Sequence, residues 1–200
     1  AQSIRVIQMN QRIGLFFGSF NPIHIGHMII ANHMANETAL DQVWLVVSPH
    51  NPFKNRNNLA DDRLRYHLAY LAIDDNPKIG VSDIGFSLPK PSYTIDTLAY
   101  LHEKYPHKEF SLIMGGDNLL TLNKWKNSDL LINRYKIYVY KRPGYDTDTI
   151  LQHPNIEIIE APLLDISATY IRDLLKSGKS VRYLLPDAVR LELEKTNPYR

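Results

Sequence analysis

Two histidines separated by two residues are the side chains best placed for chemistry. They are His24 and His27, in the run Gly18-Ser19-Phe20-Asn21-Pro22-Ile23-His24-Ile25-Gly26-His27. Residues three apart at a helix start lie on one side of it, so both imidazoles can face a single ligand. Their ring N–H groups can donate to phosphate oxygens, and a nearby polyanion favours the protonated ring. Gly26 leaves room between them for a phosphate or a nucleobase. Gly18, Ser19 and Phe20 come just before, and small residues at a strand end let the backbone approach a ligand. Zinc is the competing chemistry, but no carboxylate or third histidine stands at ligand spacing. The plain alternative is a pair of histidines capping a helix.

A second constellation lies near the far end, in Ile166-Ser167-Ala168-Thr169-Tyr170-Ile171-Arg172. Ser167 is a good helix N-cap, which is its ordinary explanation. Thr169 and Arg172 then fall in the first turn or so. There, backbone N–H groups, hydroxyls and a guanidinium can gather around one anion. An arginine early in a helix opposes the helix dipole, and a bound anion would account for it. No G-x-G-x-x-G follows the first strand, and no G-x-x-x-x-G-K-[ST] occurs anywhere. A dehydrogenase fingerprint and a Walker-type phosphate loop are therefore both unsupported.

These residues need a scaffold, and the chain spells out an alternating one. Strand-like runs occur at Ile13–Phe17, Val43–Val47, Ile79–Val81, Phe110–Met114, Lys136–Tyr140 and Ile156–Ile159. Helical spacing runs from His27 to about Leu40, with Met28, Ala31, Ala35 and Ala39 on one stripe. Further helices are expected over Ala60–Ile73, Thr94–Tyr105, Ala168–Lys176 and Asp187–Lys195. Such alternation implies an α/β fold with a mostly parallel sheet and helices on both faces. Ligands of such sheets sit beyond the carboxyl ends of the strands, where strand order reverses. The first strand delivers Gly18-Ser19-Phe20 to that edge. The loop His50–Asn58 is polar and long enough to form an active-site border.

With both motifs in place, the chain resembles the nucleotidyltransferase superfamily that carries H-x-G-H and a later I-S-x-T-x-x-R. Within it the chain is most similar to the bacterial nicotinate-nucleotide adenylyltransferases. Further matches are Ser48-Pro49-His50-Asn51-Pro52-Phe53-Lys54, Pro91–Leu98, Gly115-Gly116-Asp117-Asn118 with Trp125-Lys126, Arg142-Pro143-Gly144-Tyr145 and Leu184-Leu185-Pro186. The resemblance runs from about Arg12 to Leu193. It implies a Rossmann-like, doubly wound sheet in one domain over residues 1–200, with a helical part from about residue 166. Four positions depart from the family pattern: Ser19 replaces threonine, Asn21 replaces aspartate and Ala168 replaces a second serine. The fourth is Asn51-Pro52-Phe53-Lys54, which stands for Pro-Pro-His-Lys and keeps only the lysine's charge.

The resemblance implies that the phosphate of nicotinate mononucleotide attacks the α-phosphorus of ATP. Pyrophosphate leaves and nicotinate adenine dinucleotide forms, a step of NAD biosynthesis. It assigns His24, His27 and Arg172 to catalysis on the ATP phosphates. It gives Gly18, Ser19, Phe20, Gly26, Asp117, Ser167 and Thr169 to ATP binding, and Lys54, Thr94 and Trp125 to the mononucleotide. Thr94 at a helix start suits the nicotinate carboxylate, Trp125 can stack on the pyridine ring, and Asp117 can accept from ribose hydroxyls or cap a helix. Mg²⁺ is expected with the ATP phosphates, needing few protein ligands, and no dedicated metal site is expected.

Composition sets the remaining bounds. Formal net charge is +2 with Lys and Arg scattered, which argues against a nucleic-acid groove. There are no cysteines, which removes disulfides and thiolate chemistry and fits a reducing cytoplasm. No segment is apolar for long enough to span a bilayer, and the first residues lack a signal-peptide stretch. Nothing in the sequence sets an oligomeric state. The rival readings are a sister adenylyl- or cytidylyltransferase, such as one acting on phosphopantetheine, and a non-catalytic nucleotide-binding protein on the same fold.

Overall fold

A computed structural model describes residues 10–52, 58–142 and 152–200. In chain order the elements are β1 (Gln11–Gly18), α1 (Ile25–Glu37), β2 (Gln42–Val47), α2 (Asp62–Ile73), β3 (Ile79–Ser82) and α3 (Ile84–Ser87). Then come α4 (Thr94–Lys104), β4 (Lys108–Gly115), α5 (Gly116–Leu119), a 3₁₀ turn at Leu122–Lys124 and α6 (Ser128–Arg134). The chain closes with β5 (Ile137–Tyr140), β6 (Ile156–Ile159), α7 (Ala168–Lys176) and α8 (Asp187–Thr196). The six strands form one sheet in the order β3-β2-β1-β4-β5-β6, and every neighbouring pair is parallel. This is the Rossmann-like, doubly wound order, with its reversal between β1 and β4.

Side-chain alternation along the strands separates two cores. Phe16, Val43, Leu45, Val47, Ile113, Tyr138 and Tyr140 face one side, where Met34 of α1, Leu68 of α2, Ile171 of α7 and Val189 of α8 meet them. Ile13, Leu15, Val46, Phe110, Leu112, Met114, Ile137 and Val139 face the other, against Leu98 of α4 and Leu131 of α6. Strands buried on both faces read as continuous apolar runs, and the run Val43-Trp44-Leu45-Val46-Val47 is one.

Expected and observed elements agree closely, with two differences that matter. Helix α1 starts at Ile25 rather than at His27, so His24 is its N-cap and Gly26 and His27 lie in its first turn. The segment Ser128–Arg134 is helical although its seven residues are too few to show a full apolar stripe; Leu131 and Ile132 bury its inner side.

One side chain organises the sheet edge where β1 and β2 end. Arg65, on α2, has no exposed surface. Its Nη1 donates to the carbonyl oxygens of Ser19 and Ser48, each at 2.7 Å, and its Nε donates to Ala60 O at 2.9 Å. Its Nη2 pairs with the Asp62 carboxylate, which in turn accepts from the His50 amide at 3.0 Å. The guanidinium thus satisfies carbonyls that two strand-exit loops would otherwise bury unpaired. Arg65→Met should lower unfolding free energy in urea by about 3–5 kcal/mol, because it removes the cation from a partly buried carboxylate and leaves three carbonyls without their donor. A loss within about 0.5 kcal/mol, the range of ordinary surface changes, would remove Arg65 from this role.

Candidate active site

The turn after β1 carries the first motif and is shaped by an aromatic ring. Phe20 is buried and adopts φ +48°, an unusual backbone state for a residue with a side chain. That conformation costs about 1–2 kcal/mol. Burying the ring returns about 1.5–3 kcal/mol, so packing sustains the turn. The ring lies across Gly18, where an added Cβ would stand 3.0 Å from Phe20 Cζ. Gly18 is therefore a glycine because Phe20 occupies its side-chain space. The edge of the same ring meets His27, with centroids 5.0 Å apart at 82°.

The two histidines stack, with ring centroids 3.6 Å apart and an interplanar angle of 24°. The His24 amide donates to His27 Nδ1 at 3.1 Å, which leaves the His27 proton on Nε2. Of the reciprocal capping pair this would complete, only that arm has hydrogen-bond geometry, since His24 Nδ1 is buried without a partner. Gly26 admits the His24 ring: a Cβ there would lie 2.9 Å from His24 Cε1. The space expected at Gly26 for a ligand is thus partly filled by the histidine itself, although Gly26 still lines the cleft.

Burial and, secondarily, the Arg142 guanidinium lower the His24 pKa to about 4. His27 is held well below the usual histidine range by burial first, then by His24 and Arg142. Both rings are therefore neutral at pH 7 in the free protein, and an arriving polyanion would favour their protonation.

His24, Gly26 and His27 border a cleft of about 650 Å³ together with Gly18, Phe20, Tyr140, Arg142, Ser167 and Ala168. Arg142, just past β5, brings a guanidinium to this cleft and pairs with Asp117 at 3.4 Å. The other Asp117 oxygen, Oδ1, is buried without a partner, as a carboxylate awaiting donors would be. Asp117 is not a helix cap; Gly115 holds that position for α5.

Ser167 caps α7, accepting from the Tyr170 amide at 3.1 Å, and lines the cleft. Thr169 and Arg172 stand outside that lining. Arg172 donates to Asn21 O at 2.9 Å and to Thr169 Oγ1 at 3.2 Å, so its guanidinium binds the turn of the first motif. Ser19 is exposed beside that turn and is not among the lining residues.

A second chamber of about 260 Å³ adjoins the first. Tyr93, Thr94, Thr97, Trp125, His50 and Ser48 are among its walls. Thr94 opens α4, as expected, and Trp125 shares the chamber with it. Phe17 and Asn118 border both chambers, at the ends of β1 and β4 where strand order reverses. Lys54 and the end of the Arg142–Tyr145 match lie outside the described residues. Sequence reading gives no role to Arg142, Tyr140 or Asn118. The rule that selects Gly18 and Asp117, proximity to a strand's carboxyl end, selects these as well.

The histidines' lowered pKa values have a signed consequence. Between pH 6.5 and about 4 the unfolded chain binds more protons than the folded one, so stability is lost as pH falls through that window. His24→Gln cannot titrate and should lose less. Calorimetric midpoints of the two proteins at pH 7 and pH 4.5 test this; an equal drop in both would contradict a buried neutral His24.

The cytidylyltransferase-like family profile matches residues 15–174. A Flavobacterium psychrophilum protein carrying the name "Probable nicotinate-nucleotide adenylyltransferase" is 52% identical over 193 residues, covering 94% of this chain and 99% of its own. A Flavobacterium johnsoniae protein of the same name is 50% identical over 191 residues, covering 94% and 99%. Among solved structures, Plasmodium falciparum nicotinic acid mononucleotide adenylyltransferase complexed with NaAD superimposes with a TM-score of 0.79 at 20% identity, covering 94% of this chain and 97% of that one. At that identity the likeness speaks for the fold, while the bacterial relatives speak for the family. By the profile and by these bacterial relatives, the chain belongs to the cytidylyltransferase-like family and, within it, to the nicotinate-nucleotide adenylyltransferases.

Proposed function

We propose that the chain transfers the adenylyl group of ATP to nicotinate mononucleotide, giving nicotinate adenine dinucleotide and pyrophosphate in NAD biosynthesis. One observation carries this reading: two chambers of different chemistry meet at Phe17 and Asn118, on the reversal point of the sheet. A reaction joining two nucleotides needs two binding spaces with one common border. The larger offers imidazoles, Arg142 and the capped start of α7; the smaller offers an aromatic wall and the start of α4.

In this reading a phosphate oxygen of the mononucleotide attacks the α-phosphorus of ATP. The bond from that phosphorus to the bridging β-oxygen breaks, and its electrons leave with pyrophosphate. No protein nucleophile takes part. Catalysis then rests on alignment and on stabilising the charge that grows on the leaving group. His24 and His27 serve this charge, and the fixed His27 tautomer presents an Nε2–H donor. Arg142 adds a permanent cation to them. Ser167 and the first turn of α7 meet the β- and γ-phosphates, while Arg172, which also donates to Thr169 one turn earlier, ties that helix to the Asn21 turn. Asp117 accepts from ribose hydroxyls. Thr94 receives the nicotinate carboxylate, Trp125 stacks on the pyridine ring, and Lys54 meets the mononucleotide phosphate. Mg²⁺ enters with ATP as part of the nucleotide substrate and neutralises phosphate charge. The dependence on ATP suits the cytoplasm. No helix among the described residues is long and apolar enough to cross a membrane.

A coupled pyrophosphate assay tests the reading. ATP with nicotinate mononucleotide should release pyrophosphate, and ATP with phosphopantetheine should not; the reverse pattern would overturn the assignment. In the same assay His24→Ala and His27→Ala should each lower kcat by about 10²–10³, the usual cost of a lost charge-stabilising donor. Near-normal turnover in both would end their catalytic role. Trp125→Ala should raise KM for the mononucleotide more than KM for ATP, and an equal rise would remove the stacking contact.

A further inference from the structure

Asn21 is a buried hub whose side-chain amide and carbonyl reach three separate parts of the chain. Its Nδ2 donates to Asn58 O at 2.6 Å, and its Oδ1 accepts from the Ala60 amide at 3.1 Å and from the Tyr199 hydroxyl. Its own carbonyl receives Arg172 Nη1 at 2.9 Å. The network therefore ties the first phosphate motif to the second, to the segment leading into α2 and to the residues beyond α8. It also explains the asparagine. An aspartate could accept from Ala60 and Tyr199 but would set a carboxylate oxygen against the Asn58 carbonyl, where only a donor fits.

We infer that Tyr199 is a positioning residue for nucleotide binding: through Asn21 its hydroxyl sets the turn that carries Gly18, Phe20 and His24. Tyr199 is 3% exposed, packed into the same core as Phe20, Ile23 and Ile171. Its amide donates to Asn197 Oδ1 at 3.0 Å, and Asn197 Nδ2 reaches Leu175 O of α7 at 3.4 Å, so the ring has a fixed seat. Burial raises the pKa of its hydroxyl, against the opposing effects of Arg172 and Arg65, so the group remains a donor at any working pH. Without it, Oδ1 of Asn21 keeps one donor in a dry site and the carboxamide loses its fixed orientation. The turn three residues before His24 then relaxes. The acceptor chamber, walled by Thr94 and Trp125, shares none of these bonds. The effect should therefore fall on one substrate.

This inference rests on the adenylyl-transfer reading, and two measurements keep them separable. Steady-state kinetics at 25 °C on Tyr199→Phe, folded by circular dichroism, should show KM for ATP raised about three- to tenfold, the effect of one lost buried hydrogen bond. KM for the mononucleotide should stay within about twofold, since its chamber lies off the network. In an Asn21→Ala background the same substitution should add nothing. Calorimetric titration with ATP alone, which requires no acceptor, should show Kd raised by the same factor. An unchanged ATP Kd and KM, an equal loss for both substrates, or an effect that adds fully to Asn21→Ala would each overturn the role of Tyr199. A wild-type protein that binds ATP but releases no pyrophosphate would instead overturn the reaction, while the ratio of ATP affinities still tests Tyr199.

Discussion

The site depends on a buried cation with no direct part in binding. Two parallel strands end side by side, and each must release its chain into a loop whose carbonyls point away from water. Arg65 meets both, at Ser19 and Ser48, and is itself neutralised by Asp62 from the same helix. A lysine could not replace it. A planar fork donates in several fixed directions at once, whereas an ammonium is a point charge on a flexible stem. The first loop leads to the phosphate motif and the second to the wall of the neighbouring chamber, so one guanidinium sets the spacing between the two halves of the site.

Much of this was readable from residue order, and the misses have a common physical origin. The strands declared themselves because burial on both faces leaves uninterrupted apolar runs. The His24–His27 and Ser167–Arg172 motifs stand out through residue types that chemistry restricts. The start of α1 at Ile25, with His24 as its cap, is by contrast not separable from a start at His27, because apolar spacing marks the run of a helix and not its first residue. Arg65 was invisible: in Asp62-Arg63-Leu64-Arg65-Tyr66 it reads as one more solvated charge on a polar helix. Arg142 stood in a matched segment without a role because its value comes from lying beside β4 in space, and strand order is not written in sequence. Asn21 read as the loss of a negative charge. Only its four partners show that an amide, with a donor and an acceptor on one group, is what the position requires.

The electrostatics of the phosphate chamber are quieter than its motifs suggest. Two stacked imidazoles beside an arginine would repel strongly if charged, and burial spares them that by keeping both neutral. Among the described residues that line the chamber, Arg142 is the one permanent cation, and it pairs with Asp117 at 3.4 Å. In the proposed reaction, positive charge is supplied on demand by proton uptake as the polyanion arrives, and the free fold is not strained by a permanent cluster of cations.

The border between the chambers has a wider meaning. Among the described residues, only Phe17 and Asn118 belong to both, and the remaining walls come from separate stretches of chain. One half is written in residues 16–30, 140–142 and 163–168, the other mainly in residues 48–52 and 90–97. The loops at residues 48–52 and 90–97 can therefore change while the walls that carry His24, His27 and Arg142 stay as they are.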